Sequence, residues 1–498
     1  MSRPRITNIV IAGGGTAGWM AAAALSRFLE RDYSITLVES DAIGTVGVGE
    51  ATIPQIHLFN SALGLDEGEF IAATQATYKL GIEFVDWQRP GHSYMHAFGA
   101  VGRALGIVPF HHYWLRARAA GTAEEYGAYS FNETAARSGR FAKSDGRPSA
   151  LPDLTYAFHF DAGLYAAMLR RYAEARGVVR VEGEIGGFDK NGESGDLTAL
   201  VMTDGRRVEG ELFIDCTGFR GLLIGEAMGA AYQDWSHFLP CDRALAVPCE
   251  RSDGFRPFTQ SMARSAGWQW RIPLQHRTGN GHVYCSAFIS DDEAEAVLLA
   301  NLDGAALQPP RPLRFTTGKR DRHWVGNCVA LGLAAGFMEP LESTSIHLVQ
   351  SGIARLLAYF PGKGIESAER EQFNRLSDFE WESIRDFLVL HYKANARDGE
   401  PFWDACRDMA IPTSLEDKIE LFRATGRVHR EHEELFTEEG WYQVMIGQDV
   451  LPRAWHPLAD QLSDGYLADF LASLREGCRR KSAMLPTHGE FIRSMVTA

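Results

Sequence analysis

The stretch Ile6-Thr7-Asn8-Ile9-Val10-Ile11-Ala12-Gly13-Gly14-Gly15-Thr16-Ala17-Gly18 decides the fold. Its first seven residues read as a buried strand. Glycines follow at once, then a small-residue helix from about Thr16 to Glu30 and a second strand over residues 34–39. A strand–turn–helix–strand unit of this kind predicts parallel strands joined by a right-handed crossover. The six residues Gly13–Gly18 match G-x-G-x-x-G. Gly13 permits the tight turn, Gly15 lets backbone approach a pyrophosphate, and Gly18 allows close packing of helix on strand. The helix start, at Thr16 and Ala17, turns free N–H groups and a positive dipole end toward the phosphates. Glu39 ends the next strand about 20 residues on, where a carboxylate accepts hydrogen bonds from ribose hydroxyls and repels a 2′-phosphate.

The chain has 498 residues, beyond the ~250–300 at which one core usually stops growing, so two modules are expected. The net charge of −14 argues against nucleic acid as a partner, since a polyanion needs a basic surface. The cysteines are Cys216, Cys241, Cys249, Cys285, Cys328, Cys406 and Cys478. They are scattered and include no Cys-x-x-Cys, which fits a reducing compartment and speaks against a disulfide framework or structural zinc. The run Ile9–Leu25 is apolar or small almost throughout, but its glycines belong to the nucleotide loop and not to a membrane span. No signal peptide is read, no membrane partner is expected, and the expected location is the cytoplasm. His111-His112 and His429/His432 fit no ligand spacing, so surface histidines and no metal are expected.

FAD and NAD share the glycine fingerprint, and more distant pieces of chain separate them. A second glycine-rich stretch runs from Gly44 through Gly49, Glu50 and Ala51 to Pro54. Residues 211–218 read as a buried strand ending at Asp215 and Gly218, and residues 328–333 as another, ending at Leu333. Residues 78–87 alternate, with Tyr78, Leu80, Ile82 and Phe84 on one face and Lys79, Gly81 and Glu83 on the other. After about residue 343 the apolar spacing turns helical, and the last ~130 residues read as mainly helical. The second glycine-rich stretch and the strand ending at Gly218 resemble FAD-dependent monooxygenase-like proteins, in which distant pieces of chain hold the flavin. The resemblance implies the expected fold class, α/β: a Rossmann-type FAD-binding domain, FAD monooxygenase-like, interleaved with a substrate-binding part that is mainly helical at its C-terminus. Residues 1–95, 150–235 and 315–360 are assigned to the first, and 96–149, 236–314 and 361–498 to the second. No second dinucleotide unit is present for NADH, so electrons are expected from elsewhere.

Gly267-Trp268-Gln269-Trp270-Arg271-Ile272-Pro273 contains W-x-W-x-I-P, and this resembles the signature of flavin-dependent halogenases of the tryptophan/indole type. Thr77-Tyr78-Lys79-Leu80-Gly81 resembles the segment with that family's lysine, and Gly336 to Ile346 the segment with its glutamate. The resemblance implies a two-component enzyme. A separate flavin reductase supplies FADH2, oxygen adds to give a flavin hydroperoxide, and chloride or bromide is oxidised to hypohalous acid. Lys79 then takes the halogen, and Glu342 stabilises the cationic ring intermediate and accepts its proton. It further implies halide on the N–H groups of Thr344 and Ser345, flavin shielding by Trp268 and Trp270, and a small aromatic substrate held by His96, Phe98 and Trp441. Ser345 stands where much of the family has glycine, which puts halide preference in question.

Each residue also has a plainer reading. Lys79 alone would be a surface lysine, although Gly81 beside it leaves room for a small ligand and partial burial would lower the amine's pKa. Glu342 would be an acidic residue before a helix capped by Ser343 or Thr344. Trp268 and Trp270, two apart on one strand face, would be core. The alternatives are an FAD-dependent aromatic monooxygenase and a non-catalytic flavin-binding protein. A homodimer is compatible with the sequence.

Overall fold

The computed structural model describes residues 5–29, 32–43, 49–144, 146, 151–251, 255–362 and 364–496. It is a mixed α/β chain in two compact units, each assembled from three stretches. The first holds Met1–Ala76, Phe160–Ser236 and Phe315–Glu382, and the second holds Thr77–His159, His237–Arg314 and Ser383–Ala498.

In the first unit a six-stranded sheet has Asn8–Ala12 near its middle. That strand pairs in parallel with Ser34–Glu39 on one side and Leu212–Asp215 on the other. Leu212–Asp215 pairs in parallel with Cys328–Ala330, and Ser34–Glu39 with Val179–Glu182. Ile9, Val10, Ile11 and Ala12 have no exposed surface, as a strand covered on both faces requires. The helix Thr16–Phe28 buries an unbroken run from Gly18 to Leu25, and its small side chains let it lie close to its neighbours. The strand read over residues 328–333 stops at Ala330, and Gly332, at φ +62°, opens a 3₁₀ turn, Gly332–Ala334.

The second unit carries a seven-stranded sheet in which Gly267–Pro273 lies between Thr259–Arg264 and Thr278–Tyr284. Gly81–Val85 joins it in parallel with Thr259–Arg264, and Ser93–Ala97 follows antiparallel. This pairing, with that of residues 157–159 on Thr77–Lys79, puts residues 77–95 and 151–159 in the second unit, whereas the sequence reading assigns both to the first. At the other end, residues 361–382 fall in the first unit because Asn374 accepts the N–H groups of His323 and Trp324 and Asp378 pairs with the buried Lys319. The C-terminal part is helical, as read: Pro401–Asp408, Thr413–Thr425, Glu438–Gly447, Asp464–Ala483 and His488–Val496. Among the described residues no helix is long and apolar enough to cross a membrane. All seven cysteines are free thiols.

Helix Ser345–Ala358 is fixed in the first unit by one carboxylate. Glu380 accepts from Ser351 Oγ at 2.7 Å and Arg355 at 2.8 Å, and meets His347 Nε2 at 3.0 Å. Burial pushes the Glu380 carboxyl up, but His347 and Arg355 outweigh it and hold the group down at about 2. The folded pKa therefore lies below the unfolded value of ~4.3, so the stabilisation is complete above pH ~4.3 and fades as pH falls toward 2. Glu380→Gln should cost about 2–4 kcal/mol at pH 7. Urea midpoints of the two proteins should differ by a constant amount from pH 7 to 5 and converge below pH ~4.

Candidate active site

Five parallel strands of the first unit end at one edge, and the candidate nucleotide residues sit at the ends of four of them. Gly13 has φ +106°, and a Cβ on it would lie 2.2 Å from the Cys216 carbonyl oxygen. A Cβ on Gly18 would lie 1.9 Å from the Gly13 carbonyl oxygen, and one on Gly14 would strike the Glu39 carboxylate at 1.5 Å. Among the described residues, a Cβ on Gly15 would meet nothing within 4 Å. Three glycines are thus needed for packing, and the fourth leaves an open place in front of a helix N-terminus, which suits a pyrophosphate. The turn Gly218–Arg220 follows strand Leu212–Asp215 here, and Gly332–Ala334 follows Cys328–Ala330, bringing Gly218 and Leu333 to the same edge. A Cβ on Gly332 would come within 2.8 Å of Ala17 Cβ.

Two carboxylates shape this edge. Asp215 is fully buried and spends both oxygens internally: Oδ1 accepts from the Thr217 amide and hydroxyl, and Oδ2 from the amides of Leu223 and Ile224 at 2.8 Å. Burial still raises its carboxyl above the usual range. Asp215 therefore holds the turn that carries Gly218. Glu39 accepts from Trp19 Nε1 at 3.3 Å and from Arg180, with Arg170 at 3.6 Å. Arg180 and Arg170 thus place two cations beside the Glu39 carboxylate. Glu50 lies in strand Gly49–Ala51, where burial pushes its carboxyl up to about 7. The glycines read at 44 and 47 lie outside the described residues.

Glu342 closes the turn Pro340–Glu342 and is buried, as are Ser343 and Thr344. Ser343 holds φ +59°, a left-handed conformation that is costly for a residue with a side chain. Helix Ser345–Ala358 starts immediately after, with its first-turn N–H groups lacking partners within the helix. Thr344 holds the cap position at φ −90°, ψ −9°, an αR conformation in place of the usual extended one, and its own side chain accepts no cap hydrogen bond, contrary to the expectation for Thr344.

In the second unit Lys79 has no exposed surface. It ends the short strand Thr77–Lys79, paired antiparallel with residues 157–159, and its Nζ lies 5.4 Å from the centroid of the Phe98 ring. The single alternating strand read over residues 78–87 is broken at Leu80, whose N–H donates to the Pro257 carbonyl. Gly81 does not leave room for a ligand. A Cβ there would meet the His96 carbonyl oxygen at 2.6 Å and Ala97 Cα at 2.7 Å, so the missing side chain serves strand approach.

Sequence reasoning missed the residues that fix this strand. Thr77 Oγ1 donates to the Pro273 carbonyl at 2.6 Å and lies 3.0 Å from His159 Nδ1. With its one proton spent, the hydroxyl accepts from Nδ1–H, which leaves His159 Nε2 to accept from Thr259 Oγ1 at 2.9 Å. Burial, then the charges of Lys79 and His488, lower His159 well below its usual range, so it stays neutral. His488 Nε2 in turn accepts the Tyr78 N–H at 3.0 Å. A polar His159 between Phe158 and Phe160 is the one signal in the sequence that marks this network.

The aromatic residues divide. His96 lies 5.5 Å from Phe387 and 6.0 Å from Phe436, and Phe387 stacks on Phe436 at 3.8 Å. Trp441 is buried, meets Phe387 edge-on at 4.8 Å and has Lys418 Nζ 4.5 Å from its ring centroid. Phe387, read in the sequence only as a helix position, thus packs against both His96 and Trp441. Trp268 and Trp270 share a face 6.1 Å apart, as read. Trp268 continues into a cluster with Trp87 at 6.2 Å, and Trp270 lies over Gly281. His111 and His112 are buried and not on the surface, because His111 Nε2 donates to the Gly426 carbonyl and its ring lies 3.8 Å from that of Tyr442.

The family model for tryptophan halogenase matches residues 8–464. The chain is 36% identical over 489 residues to tryptophan 6-halogenase ThaL of Streptomyces albogriseolus, covering 90% of each. Among solved structures it resembles Xcc4156, a flavin-dependent halogenase from Xanthomonas campestris, with a TM-score of 0.96 at 51% identity over 99% of this chain and 98% of that one. It also resembles BrvH, a flavin-dependent halogenase from Brevundimonas sp. BAL3, with a TM-score of 0.95 at 46% identity over 99% and 100%.

The glycine geometry separates packing from binding. Gly15→Val, at φ −69° with open space around it, should leave stability within about 0.5 kcal/mol and lose flavin binding. Gly18→Ala forces a Cβ into the Gly13 carbonyl and should cost about 1–3 kcal/mol. Thermal melts and flavin titration of the two variants check this.

Proposed function

The chain belongs to the tryptophan halogenase family, and from that membership we propose how its residues share the work. It is a flavin-dependent halogenase: it uses FADH2, oxygen and halide to halogenate a tryptophan-like aromatic, and takes its reduced flavin from a separate reductase. The relatives reported above support neither the hydroxylase nor the non-catalytic alternative.

In this reading the first unit holds FAD, through the Gly13–Gly18 loop, Glu39, the strand Gly49–Ala51 and the turns at Gly218 and Leu333. Reduced FAD, when bound, supplies the two electrons with which oxygen and halide become hypohalous acid and water. Thr344 and Ser345 offer backbone N–H groups to the halide at a positive helix end. Lys79 receives the hypohalous acid, by hydrogen bond or as a haloamine, and presents the halogen to the ring. Glu342 stabilises the cationic ring and accepts its proton, so that aromatic and hypohalous acid yield halogenated aromatic and water. Trp268 and Trp270 keep the organic substrate from the flavin. His96 and Phe98 hold the ring, with Phe387 beside His96 and Trp441 behind it. The observation that carries the reading is Lys79, a wholly buried amine placed over an aromatic face. The free thiols support a cytoplasmic location. The Gly-rich segment after Phe98 supports a preference for simple indoles over free tryptophan.

Lys79→Ala should keep flavin binding and oxygen consumption but lose halogenated product. Glu342→Gln should slow product formation by roughly 10²–10⁴ without abolishing it. Product per flavin-loaded molecule, followed beside oxygen uptake, is the measurement, and a wild-type rate in Lys79→Ala contradicts the assignment. The chain alone should leave NADH unoxidised until a reductase is added.

A further inference from the structure

Two residues beyond Phe98 the second unit opens into a cavity of about 380 Å³. Its walls include Gly102, Phe110, Leu151, Pro152, Leu474 and Glu439. Phe110 lies flat on Gly102, where a Cβ would come 2.2 Å from the ring, so this glycine sets the width of the floor. Gly102 is also tied by its N–H to the Tyr129 carbonyl and holds φ +64°. The volume falls in the ~300–1,000 Å³ range of pockets that enclose drug-sized ligands, which is more than one indole needs.

Glu439 is the acidic group in this largely apolar lining. Tyr126 donates its hydroxyl to Oε1 at 2.9 Å. One residue along the helix, Gly440 faces His96, since a Cβ there would lie 3.0 Å from His96 Nε2. The cavity therefore adjoins the residues proposed to hold the reacting ring, and Arg103 stands on its exposed rim.

We propose that this cavity seats an uncharged aromatic extension of the substrate, beyond the ring that is halogenated, and that Glu439 hydrogen-bonds a neutral acceptor on it such as an amide carbonyl. Burial pushes the Glu439 carboxyl up to about 8 against the pull of the Tyr126 hydrogen bond, which favours the neutral acid, a hydrogen-bond donor. A neutral acid offers no counter-ion to an ammonium group, and an apolar wall gives it no alternative. Free tryptophan, a zwitterion, is poorly matched to this place. An indole carrying an amide-linked aromatic group matches it. The inference rests on the halogenase reading and adds the substrate class.

The test uses the whole enzyme with FAD, a reductase and bromide at pH 7, and compares N-benzoyltryptamine, tryptophan and indole. Wild type should show a lower KM for N-benzoyltryptamine than for tryptophan. Glu439→Leu should lower the kcat/KM ratio of N-benzoyltryptamine to indole by roughly tenfold, the size of one lost buried hydrogen bond. Glu439→Gln, which keeps a donor, should restore most of it. Ala104→Trp, on the exposed rim of the cavity, should lower the same ratio by blocking the mouth, and it decides the matter if Glu439→Leu does not fold. An unchanged ratio in the folded variants, or a lower KM for tryptophan, overturns the inference while leaving the halogenase reading intact. Failure of wild type to halogenate any probe strikes at that reading itself.

Discussion

Taking an ammonium group out of water costs several kcal/mol unless its surroundings compensate, and Lys79 is wholly buried. The second unit is arranged around that constraint. The Phe98 ring offers its negative face to Nζ. The strand carrying Lys79 is pinned on both sides of it, at Thr77 by His159 and Pro273 and at Leu80 by Pro257. The His159 ring, which feels the Lys79 charge, is kept neutral, so it adds no second positive charge to that of the amine. The hydrogen bonds to Thr77 and Thr259 satisfy both ring nitrogens of His159 and leave it no freedom to turn. Such a network holds an amine in one place, which is what delivery of an electrophile to one ring carbon demands.

The first unit solves a different problem by backbone alone. Its parallel strands bring several turns to one edge, and glycines let helix and strands close up until the open place at Gly15 remains. Asp215 illustrates the cost. A carboxylate is buried beneath the crevice and saturated with four donors so that the turn at Gly218 keeps its shape. Glu380 does the same for the helix that begins at Ser345.

The nucleotide edge was legible because its signals are local: a strand, a glycine spacing and an acidic residue at a fixed offset. The helix register after residue 343 was legible for the same reason. What could not be read depends on contacts between distant segments. Gly81 looks like space and is filled by the backbone of residues 96 and 97. Phe387 sits in an ordinary amphipathic helix, and only the return of that helix past strand Ser93–Ala97 makes it a neighbour of His96. His111 and His112 look like surface residues and are buried by Gly426 and Tyr442, more than 300 residues away in sequence. Lys79 itself was marked by its flanking motif, while the histidine that steadies it comes from residue 159.

In the proposed function the halogen passes to the substrate inside the protein, by way of Lys79, and does not escape as free hypohalous acid. Free methionine in excess destroys hypohalous acid in solution, so it separates the two routes. Wild-type enzyme turning over with bromide, reductase and indole should give the same yield and the same single ring position with and without methionine. Loss of product, or a mixture of positions that methionine suppresses, would contradict the account.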